Sequence, residues 1–286
     1  MPAATLSVAN VEITAILDVD TSIPFEELFD GTGDVPPGGW GSLAKSYPGE
    51  FTADAWHIRD HCFLMRTPSS LILIDAGIGP ADAAFGRWLG VAGALPDELD
   101  ALGVRPDEVD HVIISHIHSD DIGWSTMRSP ERWMPRFANA RYHVHGADVA
   151  WMRERGDDES VREFAEVIAP LKSAGQLDTS LEDREVSPGV RLLHAPGHTP
   201  GHRCVMVDAG VERVLFAGDL LHFTFQLNDP AFRAPGDEDP QEASRTRATL
   251  LDRAAAEGLM VATAHVPASP IGRIVREDGR LRLQAR

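Results

Sequence analysis

Two cysteines, two tyrosines, few basic side chains and no long apolar run in 286 residues are the first features of this chain. Each scarcity excludes something. Cys62 and Cys204 cannot build a disulfide framework or a zinc knuckle, and each sits among apolar residues in a strand-like run, where a buried free thiol is expected. Twenty-six Lys and Arg against 44 Asp and Glu give a formal charge of −18, a field that repels phosphate backbones and anionic membranes. No nucleic acid or membrane partner is expected. No stretch approaches the run of about 18 apolar residues that spans a bilayer. The start, Met1-Pro2-Ala3-Ala4-Thr5, lacks the basic and apolar regions of an export signal, so a cytoplasmic protein is the reading.

With 43% hydrophobic and 24% charged residues the chain has ordinary globular composition, and its length suits one large domain over 1–286. Alternating apolar residues predict an opening strand over Leu6–Leu17, and Cys62–Met65 with Leu71–Ile74 predict a hairpin turning at Pro68-Ser69-Ser70. Between them, about 21–56 is rich in Gly and Pro and reads as a loop or lid over a cleft. A short helix ending at Gly103 leads into a buried strand around Val112-Ile113-Ile114. Helices are predicted over Ala147–Arg155, Val161–Lys172 and Gln241–Glu257. Further strands fall at Tyr142–His145, Val190–Leu193, Arg203–Val207, Arg213–Phe216, Leu259–Thr263, Gly272–Arg276 and Arg280–Leu283. Strands in two groups with interspersed helices argue for a layered α/β protein.

The chemistry concentrates where apolar strands stop at ligand-type side chains. After the buried strand the chain reads Ser115-His116-Ile117-His118-Ser119-Asp120-Asp121, two imidazoles and two carboxylates within six residues. Alternate His116 and His118 let two rings converge on one ion, and imidazole suits zinc, iron or manganese-group sites. The Pro- and Gly-rich turn Pro196-Gly197-His198-Thr199-Pro200-Gly201-His202 offers His198 as a third ligand. Phe216-Ala217-Gly218-Asp219 ends a strand on a carboxylate able to bridge two metals, and Thr263-Ala264-His265-Val266-Pro267 ends one on a histidine before a proline turn.

The order Leu71-Ile72-Leu73-Ile74-Asp75-Ala76-Gly77, then His116 to Asp121, Pro196 to His202, Gly218-Asp219 and His265 resembles the metallo-β-lactamase superfamily over roughly 60 to 275. The resemblance implies a four-layer αββα sandwich with a cleft holding two divalent metal ions, zinc first. His116, His118 and His198 would hold one ion, Asp120 and His265 the other, and Asp219 both. Asp75 would support the ligands from behind, and His202 would pack near its loop.

One departure matters. The family pattern is His-x-His-x-Asp-His, and Asp121 stands where the last histidine belongs. If Asp121 ligates, the second ion sees three carboxylates and one imidazole, a harder site that shifts preference toward manganese or iron and weakens Lewis acidity. If the short side chain fails to reach, the second site is weakly occupied. The expectation adopted is an occupied but altered second site.

Such a centre implies hydrolysis by a metal-bound hydroxide, with Asp120 as the catalytic carboxylate that orients the nucleophile or carries its proton. Trp124, His222, Phe223 and Phe225 flank the ligand loops as candidate pocket walls, while His57, His61, His111, His143, His145 and His194 read as packing or surface residues. The acidic run Gly236-Asp237-Glu238-Asp239-Pro240 reads as a helix lead-in. The expected substrate is a small-molecule ester or lactone, with a homodimer left open. Lactonase-type relatives often place a tyrosine near the oxyanion, and neither Tyr47 nor Tyr142 lies in a matching segment. A mononuclear iron dioxygenase and a catalytically impaired metal-binding homologue are the alternatives.

Overall fold

The strands Leu71–Ile74, Arg203–Ala209 and Met260–Ala262 are buried nearly throughout, because each belongs to a sheet covered on both faces. The computed structural model describes residues 4–29, 35–36, 38–130, 132–210, 212–266 and 270–285. Its two main sheets have seven strands each, and the chain completes one before starting the other. The first runs Ala4–Val8, Val11–Pro24, Ala55–Arg66, Leu71–Ile74, His111–Ile113, Arg141–His143 and Leu177–Asp178. The second runs Arg184–Ser187, Val190–His194, Arg203–Ala209, Glu212–Phe216, Met260–Ala262, Ile271–Glu277 and Arg280–Ala285. A two-stranded ribbon, Thr126–Arg128 with Trp133–Pro135, stands apart.

Strand alternation divides each run between two cores. Ile72 and Ile74 face Val190, Val205, Val214, Phe216 and Met260 across the interior between the sheets. Leu71 and Leu73 point the other way, into a core shared with Leu95, Leu99, Met152 and Leu171 of the outer helices. In the second sheet Cys204, Leu215 and Val261 pack toward Leu251 and Ala254 of the helix Pro240–Glu257. Helix, sheet, sheet and helix give the expected four-layer αββα sandwich. Cys62 and Cys204 are buried free thiols in opposite outer cores, out of reach of one another.

Three local expectations need correction. Leu6–Leu17 is not one strand: Ala9, with φ 50°, and Asn10 turn the chain between Ala4–Val8 and Val11–Pro24, which pair with Val8 opposite Val11. The lid expected over 21–56 is partly regular, with a strand to Pro24, helices Phe25–Leu28 and Trp40–Ser46, and a strand from Ala55. Its Gly31, Gly33 and Pro37, and Pro267 of the later turn, lie outside the described residues. The helical stretch from Asp158 to Ser173 is interrupted by a π-helical turn at Phe164–Ile168.

Aromatic packing ties the lid to the body. Phe25, Trp40, Phe51, Trp56, Phe223, Phe225 and Phe232 form one cluster, with Phe25 stacked on Trp40 at 3.8 Å. Glu50 is buried beside it and accepts the Thr224 N–H at 2.8 Å. Burial pushes this carboxyl up to about 7 against an ordinary 4.5. Between those values the folded chain keeps a proton that the unfolded chain has released, so stability falls as pH rises through that window. Glu50→Gln keeps the acceptor and removes the charge. It should raise stability by about 2–3 kcal/mol at pH 8 and change it little at pH 4, read by urea titration at both values. A gain of equal size at both would disprove this origin.

Candidate metal centre

Parallel pairing assembles much of the site. Phe216 lies opposite Ala262, and the chain advances three residues beyond each to reach Asp219 and His265 at one edge of the second sheet. Gly218 makes the turn at φ 52°, where a Cβ would come within 2.9 Å of His202 Nε2 and 3.0 Å of Ser115. On the first sheet Ile74 pairs with Ile113, so Asp75 emerges beside the segment leading to His116, and its Oδ1 accepts the Ser115 N–H at 2.7 Å. His198 sits in a loop pinned to the last helix, where the Glu238 N–H donates to His198 O and the Asp239 N–H to Gly197 O. A Cβ on Gly197 would lie 2.1 Å from Ala243 N.

Three ring nitrogens form a tight triangle. His116 Nε2 is 2.9 Å from His118 Nδ1, which is 2.9 Å from His198 Nε2, and the third edge is 3.2 Å. Those edges approach the roughly 3.3 Å expected between nitrogens of a tetrahedral zinc site with bonds of about 2.0 Å. Asp219 Oδ2 completes the group at 3.6 Å from His116 Nε2 and 3.3 Å from His198 Nε2.

Beyond it the expected second set does not gather as one. Asp219 groups with His222 and His265, while Asp120 and Asp121 group with Asp219 in a separate carboxylate cluster. His265 Nε2 lies 3.0 Å from Asp219 Oδ1, and His222 Nε2 lies 3.2 Å from Asp219 Oδ2. Asp121 is buried, with Oδ2 3.3 Å from His116 Nε2.

Supporting contacts hold these groups from behind. His202 donates from Nδ1 to Ala195 O at 3.1 Å and accepts the Asp219 N–H at Nε2, also at 3.1 Å, which fixes the Asp219 backbone. Ser115 Oγ is 3.1 Å from His116 Nδ1. His61 donates to Ala264 O at 2.9 Å and steadies the loop before His265.

The donor set suits a divalent cation. Burial holds His116 and His118 well below the ordinary imidazole range, which favours the neutral ligand form. Burial would also lower His198 and His265, but neighbouring carboxylates, Asp219 foremost, push them up to about 9 and about 10. Burial and mutual repulsion drive Asp121 well above the carboxylate range and Asp120 up to about 6. Asp121 Oδ2, Asp219 Oδ1, His222 Nδ1 and His265 Nδ1 are buried and find no hydrogen-bond partner among the described residues. Crowded negative charge with unpaired donor atoms is the condition a bound cation relieves.

The family model described as metallo-beta-lactamase superfamily matches residues 60–265. The chain belongs to that superfamily. Among its curated relatives, a probable metallo-hydrolase of Mycobacterium tuberculosis is 29% identical over 201 residues, covering 61% of this chain and 60% of that protein. The N-acyl homoserine lactonase AiiB of Agrobacterium fabrum is 25% identical over 224 residues, covering 71% of this chain and 78% of its own length. The chain thus spans about 60% of the length of the relatives matched first. In structure it resembles the hydrolase AbOPH of the beta-lactamase superfamily, with TM-score 0.83, 24% identity and coverage of 99% and 97% of the two chains. It also resembles AidC, a dizinc quorum-quenching lactonase, with TM-score 0.79, 19% identity and the same coverage. Those two likenesses show a shared fold.

In this superfamily member a cavity of about 290 Å³ opens onto the centre, with His118, Asp120, His198, Asp219, His222 and His265 in its lining. Ile23, Leu28, Trp56, Ile58, Phe85 and Trp88 form an apolar wall, faced by Trp151, Arg155 and Glu163. Three expected wall residues are placed elsewhere. Phe223 and Phe225 stack on one another in the aromatic cluster, and Trp124 packs on the first outer core with Arg136 4.9 Å over its ring. Their sequence neighbourhood is right, but side chains next to a ligand point away from it as readily as toward it. Tyr142 is in the core, donating to Ser125 O, and Tyr47 lines a different depression.

Two acidic residues escaped the sequence reading. Asp237 Oδ1 accepts from His198 Nδ1 at 3.0 Å and its Oδ2 meets Arg247 at 3.3 Å, while Asp239, in the same run, caps the helix as expected. Asp60 lies buried on the strand Ala55–Arg66, 3.8 Å from His265 Nδ1. Its neighbours Arg59 and His61 are polar too, so the strand Ala55–Arg66 gave no signal that singles it out.

Alongside these groups, no helix among the described residues is long and apolar enough to cross a membrane.

Proposed function

We propose that the protein is a metal-dependent hydrolase of a small-molecule carboxylic ester or lactone. The observation that carries the reading is the seating of the His116, His118, His198 and Asp219 group at the floor of a cavity with an apolar wall. Divalent ions bound there supply two things, a lowered pKa for water and polarisation of a carbonyl oxygen. The chain's own residues do the rest. Trp56, Ile58, Phe85 and Trp88 take up the apolar part of the substrate and exclude water from it. Asp120 lines the same cavity, where its carboxylate can accept a proton from the nucleophile and return it to the leaving oxygen. Asp237 and Ser115 keep the His198 and His116 rings oriented.

The names of the relatives support this choice, since several are N-acyl homoserine lactonases. The excess of acidic residues disfavours polyanionic substrates. The test is a panel of lactone, aryl ester, phosphotriester and thioester substrates run on purified protein alongside elemental analysis, with His116→Ala/His198→Ala as the control. Lactone or ester turnover that the double variant abolishes is the expected result. Oxygen uptake with an iron-loaded protein, or silence across the panel, would replace this reading.

A further inference from the structure

The second cation position is where the chain departs from its family pattern, and three observations bear on how the loss of an imidazole at 121 is met. First, Asp121 does not fall in a ligand group with His265; its carboxylate turns to His116 and to the other carboxylates. Second, His222 does fall in such a group, each of Asp219, His222 and His265 offering a ligand atom within 4.8 Å of the others. Third, those three residues line the cavity and Asp121 does not.

We infer that His222 is a ligand of the second divalent cation, supplying together with His265 and Asp219 the imidazole that Asp121 withdraws. Position 222 is prepared for this. The His222 and Phe223 N–H groups both donate to Gln226 Oε1, at 2.9 and 3.0 Å, and Gln226 Nε2 donates to Phe232 O at 3.0 Å. This buried amide fixes the backbone that carries the ring. The ring stands 5.1 Å from that of His265. Its Nε2 lies 3.2 Å from Asp219 Oδ2, as His265 Nε2 lies 3.0 Å from Asp219 Oδ1. Two ring nitrogens set on the two oxygens of one carboxylate are placed as ligands of a shared ion are placed. An imidazole in place of the Asp121 carboxylate makes a softer site, which favours zinc over manganese.

This rests on the hydrolase reading in needing a two-metal centre, so its test reads metal and not turnover. Zinc per chain is measured by elemental analysis in the wild type, His222→Ala, His222→Gln and Asp121→Ala, with thermal melting to confirm folding. Cobalt-substituted samples report the ligand field by electronic absorption. The expected result is about two ions in the wild type and in Asp121→Ala, and about one in both His222 variants, with the cobalt spectrum changed only by substitution at 222. Two ions retained in both His222 variants, or loss of one on Asp121→Ala alone, overturns the inference and leaves the hydrolase reading standing. One ion or none in the wild type overturns it as well, and the substrate panel then judges the hydrolase reading separately.

Discussion

Asp219→Asn is expected to reduce turnover on the best panel substrate by on the order of a thousandfold and to bring bound metal below one ion per chain. Asp219 is the hub of the centre. Its two oxygens lie within 3.6 Å of ring nitrogens on His116, His198, His222 and His265. Burial alone would raise its pKa, but those histidines hold it well below the carboxylate range, so it stays charged at working pH. Asparagine keeps the shape, loses the charge and turns an N–H2 toward nitrogens that need an acceptor or an ion. The backbone is held by His202 through the Asp219 N–H, so the fold should survive the change. Elemental analysis and steady-state kinetics on the same preparation check both halves. Two ions and undiminished turnover would remove Asp219 from the centre.

Arg247→Met should have the largest effect on stability, a loss of about 3–5 kcal/mol of the kind seen when one partner of a buried ion pair is removed. The guanidinium is 1% exposed and donates to Leu220 O at 2.7 Å and Pro230 O at 2.8 Å, and it meets Asp237 at 3.3 Å. It therefore joins the last helix, the turn after Asp219 and the loop that orients His198. Methionine fills the space, leaves the Leu220 and Pro230 carbonyls unanswered and takes one partner from Asp237, which keeps His198 and the Ala234 N–H. At about 2–4 °C per kcal/mol for chains of 150–250 residues, the melting temperature should fall on the order of 10 °C. Burial would push Asp237 up, but His198 and Arg247 hold it near 2, so its charge persists once the arginine is gone. Metal affinity should then drop about 10–100-fold, as for other residues that orient a ligand. A melting point within a degree or two of wild type would show that these contacts contribute little.

Much of the centre was legible because the chemistry is written locally. A buried strand that halts at His116, Asp219 or His265 marks a residue able to hold a metal without any knowledge of what lies across the sheet. The same locality explains the gaps. Asp237 sits two residues before the helix cap Asp239, and its partner His198 is 39 positions away in the chain. Asp60 acts through His265 on the other sheet. The opening hairpin was hidden because a two-residue turn at Ala9-Asn10 barely interrupts the alternation of apolar residues on either side. For Phe223 and Phe225 the sequence shows proximity to Asp219, while facing depends on the Gln226 clamp and the aromatic cluster.

The chain finishes its first sheet at Asp178 before beginning the second at Arg184, and the donors divide along that line. His116, His118 and Asp120 come from the earlier portion, His198, Asp219 and His265 from the later. The group His116, His118, His198 and Asp219 is complete only when both are present. A polypeptide severed between 178 and 184 would yield two complementary fragments, and tight cation capture by the mixture would report their reunion.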